Sequence, residues 1–373
     1  MGTKMLKKDT INLNYFAIIL IIVKSMFHYS TIITLPETLE GIIEIFAYSI
    51  WGLTLLASNY SKKNIFFLFC IGSICFYSCY ICKSFTIFSS FMFFCLCMSK
   101  NSNEKKIIEL IYKTMFFVLV FHFIIFLIQY LNGDVLKIVD QTGRLRLSLG
   151  FSNPNIVSYY TLWCFLGYVY NQKNLNHKII IPFFLICIVY LFTKSNTLIF
   201  MSIISLILIN INATPKFWKN ISKYMILSIT IIWIVFVNMY SSGNNMAIKL
   251  NEILNSRLYY SYEAQKNYGY SIVGHRINSN IELVREKSYM STSIILDVTY
   301  ANLIYKYGIV YILILILISN IIADSHDDLR KKYLIIWSIF AISETVSLNF
   351  IICFPPALAA FLLKERKKDC EDL

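Results

Sequence analysis

Long apolar runs separated by short lysine-bearing segments limit what this chain can fold into. About twelve such runs follow one another between residues 11 and 363, most of them near the ~20 residues that cross a bilayer. Hydrophobic residues make up 57% of the chain and charged residues only 15%, whereas a soluble domain is about one-quarter charged. The pattern predicts an all-α, polytopic transmembrane helix bundle that forms a single transmembrane domain over residues 1–373.

The positions of the lysines predict the orientation of this bundle. Lysines concentrate in alternate connections, from Lys4, Lys7 and Lys8 at the start to Lys364 and the basic residues that follow it. This is the positive-inside pattern, so we expect a multi-pass protein of the cytoplasmic (inner) membrane with both termini in the cytoplasm. The net charge of +13 is spread over these connections. It does not form the basic face that would indicate a nucleic-acid partner.

Two long polar segments fall on the predicted outer side of the membrane, at residues 241–296 and 132–154. A loop as long as the first one is usually either functional or disordered. We therefore expect the chemistry of the protein to lie in these segments. The longer one contains no cysteine, and neither has a close group of metal-ligating residues. The sequence thus predicts no disulfide framework, no metal and no cofactor.

Basic residues near these segments are candidates for binding a phosphate. Arg144 and Arg146 would point the same way from an extended segment, and arginine can hold a phosphate through two parallel hydrogen bonds. Lys194 lies in a short outer turn and is a further candidate. Asn153 and Asn155 follow the arginines closely and, with Tyr300, are candidates for binding a sugar. The alternatives are an arginine pair that only reaches towards the membrane interface and a lysine that is only solvated.

The longer segment adds candidates for sugar binding and proton transfer. Arg257 is followed by Tyr259 and Tyr260. Tyrosine rings stack on the apolar faces of sugars and also offer a hydroxyl, although an aromatic belt at the membrane interface has the same composition. His275 could transfer a proton, or it could be an ordinary solvated histidine.

Two carboxylates stand beside apolar runs. Asp297 lies with Tyr300 at the head of a late apolar run, a position that also suits a helix cap or first turn. Glu344 interrupts the last apolar block. A buried carboxylate needs a partner or a proton, so a structural pair with an arginine is the alternative to a catalytic role for Glu344.

Four segments together carry a resemblance to a known family. They are GRLRLSLGFSNPN from Gly143, TKSNT from Thr193, NSRLYYSYEAQKNYGYSIVGH from Asn255 and LDVTYANLIYKYGIVYILILIL from Leu296. In this order, over roughly residues 107–350, the chain resembles bacterial polysaccharide repeat-unit polymerases of the Wzy type. These are relatives of the O-antigen ligases, which often have asparagine where Arg276 follows His275, so the polymerase is favoured.

The resemblance implies a metal-independent, membrane-embedded glycosyltransferase. Its donor would be a growing glycan on undecaprenyl pyrophosphate, and its acceptor would be one lipid-linked repeat unit of an O-antigen or capsular polysaccharide. A chain-length regulator and a flippase of the same pathway would be its protein partners. The implied pyrophosphate ligands are Arg144, Arg146 and Arg257, with Lys194 replacing an arginine that relatives often have at the position of Asn196. The implied base or acceptor-orienting groups are, in order, Asp297, His275 and Glu344.

Other functions share the hydropathy pattern. A flippase or transporter for lipid-linked sugars would have charged residues along a path through its spans and internal repeats. A ligase-type transferase and a scaffold protein without chemistry are further alternatives. The polar residues of this chain gather instead in two outer segments, which favours the polymerase.

Overall fold

The computed structural model describes residues 2–56, 62–99, 102–133, 137–139, 145–172, 180–277, 281–285, 288–292 and 296–371. Helices dominate these ranges, which confirms the predicted helical class. The chain divides into two compact units. The first unit comprises Met1–Asn59, Met92–Ile211 and Lys364–Leu373, and the second comprises Tyr60–Phe91 and Asn212–Leu363.

The helices in chain order are α1 (Gly2–His28), α2 (Glu37–Leu56), α3 (Lys62–Cys82), α4 (Thr86–Met98), α5 (Glu104–Leu131), α6 (Pro154–Asn171), α7 (Ile180–Thr193), α8 (Asn196–Asn210), α9 (Pro215–Ser241), α10 (Asn245–Ile253), α11 (Arg257–Tyr268), α12 (Thr299–Ala301), α13 (Ile309–Ala323), α14 (Asp328–Phe340) and α15 (Leu358–Glu371). Two antiparallel hairpins accompany them. They pair β1 (Lys137–Val139) with β2 (Leu145–Leu147), and β3 (Ile281–Arg285) with β4 (Ser288–Thr292).

Within the described residues, three helices are long and apolar enough to cross a membrane, namely α2, α5 and α9. Shorter apolar helices or parts of helices cover Asn12–His28, Leu68–Cys82, Thr86–Met98, Pro182–Thr193, Asn196–Asn210 and Ile309–Ala323. The three long helices could span a membrane by their length and composition. The count of about twelve crossings stays a prediction.

The segment predicted as a long outer loop contains regular structure. Helices α10 and α11 and the β3–β4 hairpin lie within residues 241–296. Helix α11 is polar, but Leu258, Ser261 and Ala264 repeat every three residues and form a buried face. Such a helix is stabilised by packing rather than by its own propensity, so hydropathy alone does not reveal it.

The late apolar run, predicted as one crossing over residues 300–322, is broken at Gly308. A π-helical turn, Asn302–Tyr307, precedes this glycine, whose φ is +99°, and α13 begins after it. The segment 271–275 lies across the break, where the Ile309 amide donates to the Ser271 carbonyl at 2.9 Å and the His275 amide donates to the Lys306 carbonyl at 3.0 Å. The break leaves the Ile309 amide and the Lys306 carbonyl without helical partners, and segment 271–275 supplies their hydrogen bonds. Apolar surroundings require such pairing.

The last apolar block, predicted as two short spans over residues 333–363, forms two helices joined by a largely irregular stretch with two short 3₁₀ turns. Helix α14 ends at Phe340 and α15 begins at Leu358. Between them the Trp337 indole donates to the Ser347 carbonyl at 2.9 Å, and the Phe350 amide donates to the Ser90 hydroxyl at 3.1 Å. Side chains therefore bond backbone groups that a helix would have paired internally.

Candidate functional site

Within the first unit, the arginine of β2 is held by two other segments. The Nε atom of Arg146 donates to the Thr193 carbonyl at 2.7 Å, and its Nη2 atom donates to Oδ1 of Asn155 at 2.7 Å. Asn155 lies in the first turn of α6. Asn153 caps this helix, because its Oδ1 atom accepts a hydrogen bond from the Asn155 amide at 2.9 Å. Strand β2, the start of α6 and the distant end of α7 therefore lie together at Arg146.

Lys194 immediately follows the carbonyl that Arg146 contacts. Its φ of +49° places it in the left-handed region, which few residues other than glycine adopt. Its amide donates to the Tyr190 carbonyl at 2.8 Å, and its Nζ atom lies 5.9 Å from the centre of the Tyr190 ring. The turn between α7 and α8 thus places a second cation beside the residue that holds Arg146.

We call Arg146, Asn153, Asn155 and Lys194 the α6 cluster. A carbonyl and an amide oxygen accept hydrogen bonds from Arg146 and orient its guanidinium. An oriented guanidinium is a group that suits a bound phosphate. Arg144, predicted to act with Arg146, lies outside the described residues.

In the second unit, a left-handed turn directs the chain into α11. Asn255 and Ser256 have φ values of +50° and +64°, and Arg257 is the first residue of the helix. Oδ1 of Asn251 accepts the Tyr259 amide at 2.9 Å, so it satisfies one of the backbone donors that a helix start leaves unpaired. The turn and this contact together fix Arg257 at the start of α11.

Arg257 interacts electrostatically with Asp297. The Asp297 side chain is exposed, yet neighbouring protein atoms displace part of its solvent and raise the pKa of this carboxyl above its ordinary value. The positive charge of Arg257 acts in the opposite direction and lowers that pKa. An arginine and a carboxylate of enhanced basicity are therefore brought together from positions that are forty residues apart in the sequence.

The segment that carries Asp297 is fastened to the irregular stretch around Glu344. The hydroxyl of Thr299 donates to the Glu344 carbonyl at 2.7 Å and also contacts the Ser347 hydroxyl. The Thr299 amide donates to the Ala341 carbonyl at 3.0 Å. Glu344 is half-buried and lies close in space to the head of the late apolar run. Hydropathy had placed these two segments in separate spans.

The tyrosines predicted to bind sugar occupy different environments. Tyr300 is completely buried, and its hydroxyl donates to the Ser338 carbonyl at 3.1 Å. Tyr259 and Tyr260 are partly exposed, with ring centres 5.5 Å apart. A sugar could reach Tyr259 and Tyr260, whereas Tyr300 packs inside the second unit.

His275 lies at the crossing of segment 271–275 over the broken helix. Its amide is bonded to Lys306, and its ring centre is 6.2 Å from that of Tyr268. Its Nε2 atom is buried and has no hydrogen-bond partner within the described part of the chain. The imidazole is thus fixed in position with one nitrogen unused.

His122 is a residue that the sequence reasoning missed. It is almost completely buried in α5, its Nε2 lies 3.0 Å from the Ser30 hydroxyl, and its ring stacks on Phe151 with centres 4.5 Å apart. It supports the segment that leads to Asn153. An ionisable residue inside an apolar run is costly and therefore informative, so that rule applied to α5 would have found it.

The first unit thus collects the α6 cluster, and the second collects Arg257, Asp297, Tyr259 and Tyr260, with the Glu344 backbone nearby. No group of three or more His, Cys, Asp or Glu residues within the described ranges is placed to hold a metal ion. Metal independence itself stays a prediction. Comparison of the chain with known family models, curated proteins and solved structures finds no match.

Proposed function

We propose that this protein is a membrane-embedded glycosyltransferase that polymerises lipid-diphosphate-linked oligosaccharide repeat units at the outer face of the cytoplasmic membrane. The observation that carries the proposal is that Asp297 lies within the electrostatic influence of Arg257. Transfer from a glycosyl diphosphate needs positive charge at the leaving group and a base near the attacking hydroxyl. This pair offers one group of each kind.

The proposed step breaks the bond between the anomeric carbon of the donor glycan and the diphosphate oxygen. A bond forms between that carbon and the acceptor hydroxyl oxygen, whose proton passes to the Asp297 carboxylate. The electron pair of the broken bond stays with the diphosphate, which Arg257 neutralises. Partial desolvation favours this role because a raised pKa makes Asp297 a stronger base.

The α6 cluster supports the same substrate class. Arg146 presents an oriented guanidinium fork, and Lys194 follows the residue whose carbonyl holds it. Both cations suit diphosphate oxygens. Tyr259 and Tyr260 suit stacking on a sugar ring. Arg144, His275 and Glu344 complete the proposed set, with undecaprenyl pyrophosphate as the carrier.

The proposed orientation places α11 outside the cell. A Lys266→Cys variant should react with an impermeant thiol reagent in intact cells, because Lys266 is exposed in the last turn of α11. The matched control is Lys216→Cys, exposed at the start of α9 and expected inside. Labelling is compared with that of the wild type, which measures the background of the native cysteines. Reaction of the Lys266 variant only after lysis would contradict the orientation.

Deletion of the gene tests the function directly. Lipid-linked saccharide in the deletion strain should shift from long chains to a single repeat unit on the outer leaflet, and a plasmid copy should restore the long chains. Single units retained on the inner leaflet would indicate a flippase instead. Long chains that accumulate on the lipid carrier would indicate a ligase-type transferase. Either of these results would overturn the polymerase proposal.

A further inference from the structure

Five buried polar atoms in the described part of the second unit have no close hydrogen bond. Three of them belong to residues that are linked by contacts, namely Oε1 of Gln265, Nε2 of His275 and the hydroxyl oxygen of Tyr305. Buried polar atoms are nearly always paired, so each exception calls for an explanation. The explanation should be common to the three because their residues are linked by contacts.

Tyr270 provides the link between them. The Nε2 atom of Gln265 donates to the Tyr270 hydroxyl at 2.9 Å. The Tyr270 ring stacks on the Tyr305 ring with centres 5.8 Å apart and planes inclined at 29°. His275 bonds through its amide to Lys306, the neighbour of Tyr305. We call Gln265, Tyr270, His275 and Tyr305 the Tyr270 cluster.

Tyr270 also forms the cover of this cluster. Its side chain is 46% exposed, whereas Tyr305 beneath it is 0% exposed. A rotation of the Tyr270 side chain would remove the ring that stacks on Tyr305. The neighbouring turn is π-helical, a conformation that occurs frequently at functional sites.

We propose that the Tyr270 cluster binds a sugar ring of the glycan, a subsite that rests on the proposed function and adds to it. An amide oxygen, an imidazole nitrogen and a phenol hydroxyl match the alternating donors and acceptors of sugar hydroxyls. Two tyrosine rings suit the C–H faces of a sugar. The sugar replaces Tyr270 over Tyr305 and pairs the three atoms that are unpaired in its absence.

The test uses the full-length protein in nanodiscs. The probe is a set of short oligosaccharides released by mild acid from the surface polysaccharide of the parent bacterium, which carry no diphosphate. Calorimetric titration gives Kd, and thermal unfolding gives Tm. The probe is obtained from the wild-type strain, so the measurement can succeed or fail independently of the deletion experiment.

Tyr305→Phe should weaken binding on the order of tenfold through loss of a hydrogen bond to the sugar. It should change the Tm of the free protein little, because the hydroxyl has no close hydrogen bond and interacts only with the side chain of Tyr270. The matched control is Tyr311→Phe, which removes a buried hydroxyl that donates to the Ile74 carbonyl at 3.1 Å. That variant should lower Tm and keep Kd.

Two results would overturn the subsite. The first is that Tyr305→Phe binds the probe with the wild-type Kd, or that the wild type does not bind it. Either outcome would mean that water alone solvates the polar atoms of the Tyr270 cluster. A fall in Tm of Tyr305→Phe as large as that of Tyr311→Phe would mean that the contact with Tyr270 already satisfies the hydroxyl. If Tyr305→Phe binds the probe with wild-type Kd and the deletion strain still makes long chains, both the subsite and the polymerase proposal are wrong. If Tyr305→Phe binds more weakly and the deletion strain still makes long chains, only the polymerase proposal is wrong.

Discussion

Replacement of Arg257 by alanine should reduce polymer formation about a hundredfold while the protein stays at its normal level in the membrane. The contact with the leaving diphosphate strengthens as the glycosidic bond breaks, so the loss should appear in the chemical step more than in substrate binding. Arg257→Lys should recover part of the rate, because lysine keeps the charge but lacks the planar fork. Polymer formed from lipid-linked repeat units in isolated membranes is the measurement.

The control for this change is Arg276→Ala, which removes an exposed arginine from the same part of the chain. It should leave polymer formation unchanged. Asp297→Asn should be as damaging as Arg257→Ala if the carboxylate is the base. It should be mild if Asp297 only caps a helix, because asparagine caps nearly as well. Near-normal polymer in both Arg257→Lys and Asp297→Asn would mean that the site has been assigned to the wrong residues.

The pH dependence of the rate tests the same pair in another way. Activity should fall on the acid side as Asp297 becomes protonated, and this fall should begin above the pH expected for an ordinary aspartate because desolvation raises its pKa. Arg257 lowers that pKa. As the pH is lowered, the residual activity of Arg257→Ala should therefore begin to fall at a higher pH than the activity of the wild type. An unchanged acid limb would contradict the assignment of Asp297 as the base.

Gly308→Ala should prevent stable folding of the second unit. A Cβ atom on Gly308 would lie 2.4 Å from the Ile272 carbonyl oxygen and 2.6 Å from the Gly274 nitrogen. Both are backbone atoms and cannot rotate away, so we expect a cost above ~4 kcal/mol, which point substitutions rarely reach. Gly274→Ala should behave similarly, since its Cβ would lie 2.4 Å from the Lys306 carbonyl oxygen.

Gly243→Ala is the matched control for these two variants. Its φ is +74°, and nothing lies within 4 Å of an added Cβ, so it introduces the left-handed strain without a clash. That strain alone costs about 1–2 kcal/mol. Unfolding temperatures of the purified variants compare the two effects. If Gly308→Ala were no less stable than Gly243→Ala, segment 271–275 would not cross the broken helix as closely as described.

Local sequence determined the helical class and its membrane character. Apolar runs long enough to cross a bilayer, such as the run that becomes α5, have few other ways to pair their backbone groups. The interruption near Glu344 was also visible, because polar residues and two prolines cannot continue an apolar helix. These features depend on neighbours along the chain, which is the information that hydropathy contains.

Only the tertiary structure decided which distant groups meet. Thr193 presents a carbonyl to Arg146, and carbonyls are common to every residue, so no side-chain pattern marks this contact. The electrostatic effect of Arg257 on Asp297 depends on how α11 and the late apolar run pack within the second unit. Gly308 alone does not specify that another backbone crosses beside it. Each of these contacts depends on packing between segments far apart in the chain, which local propensity does not encode.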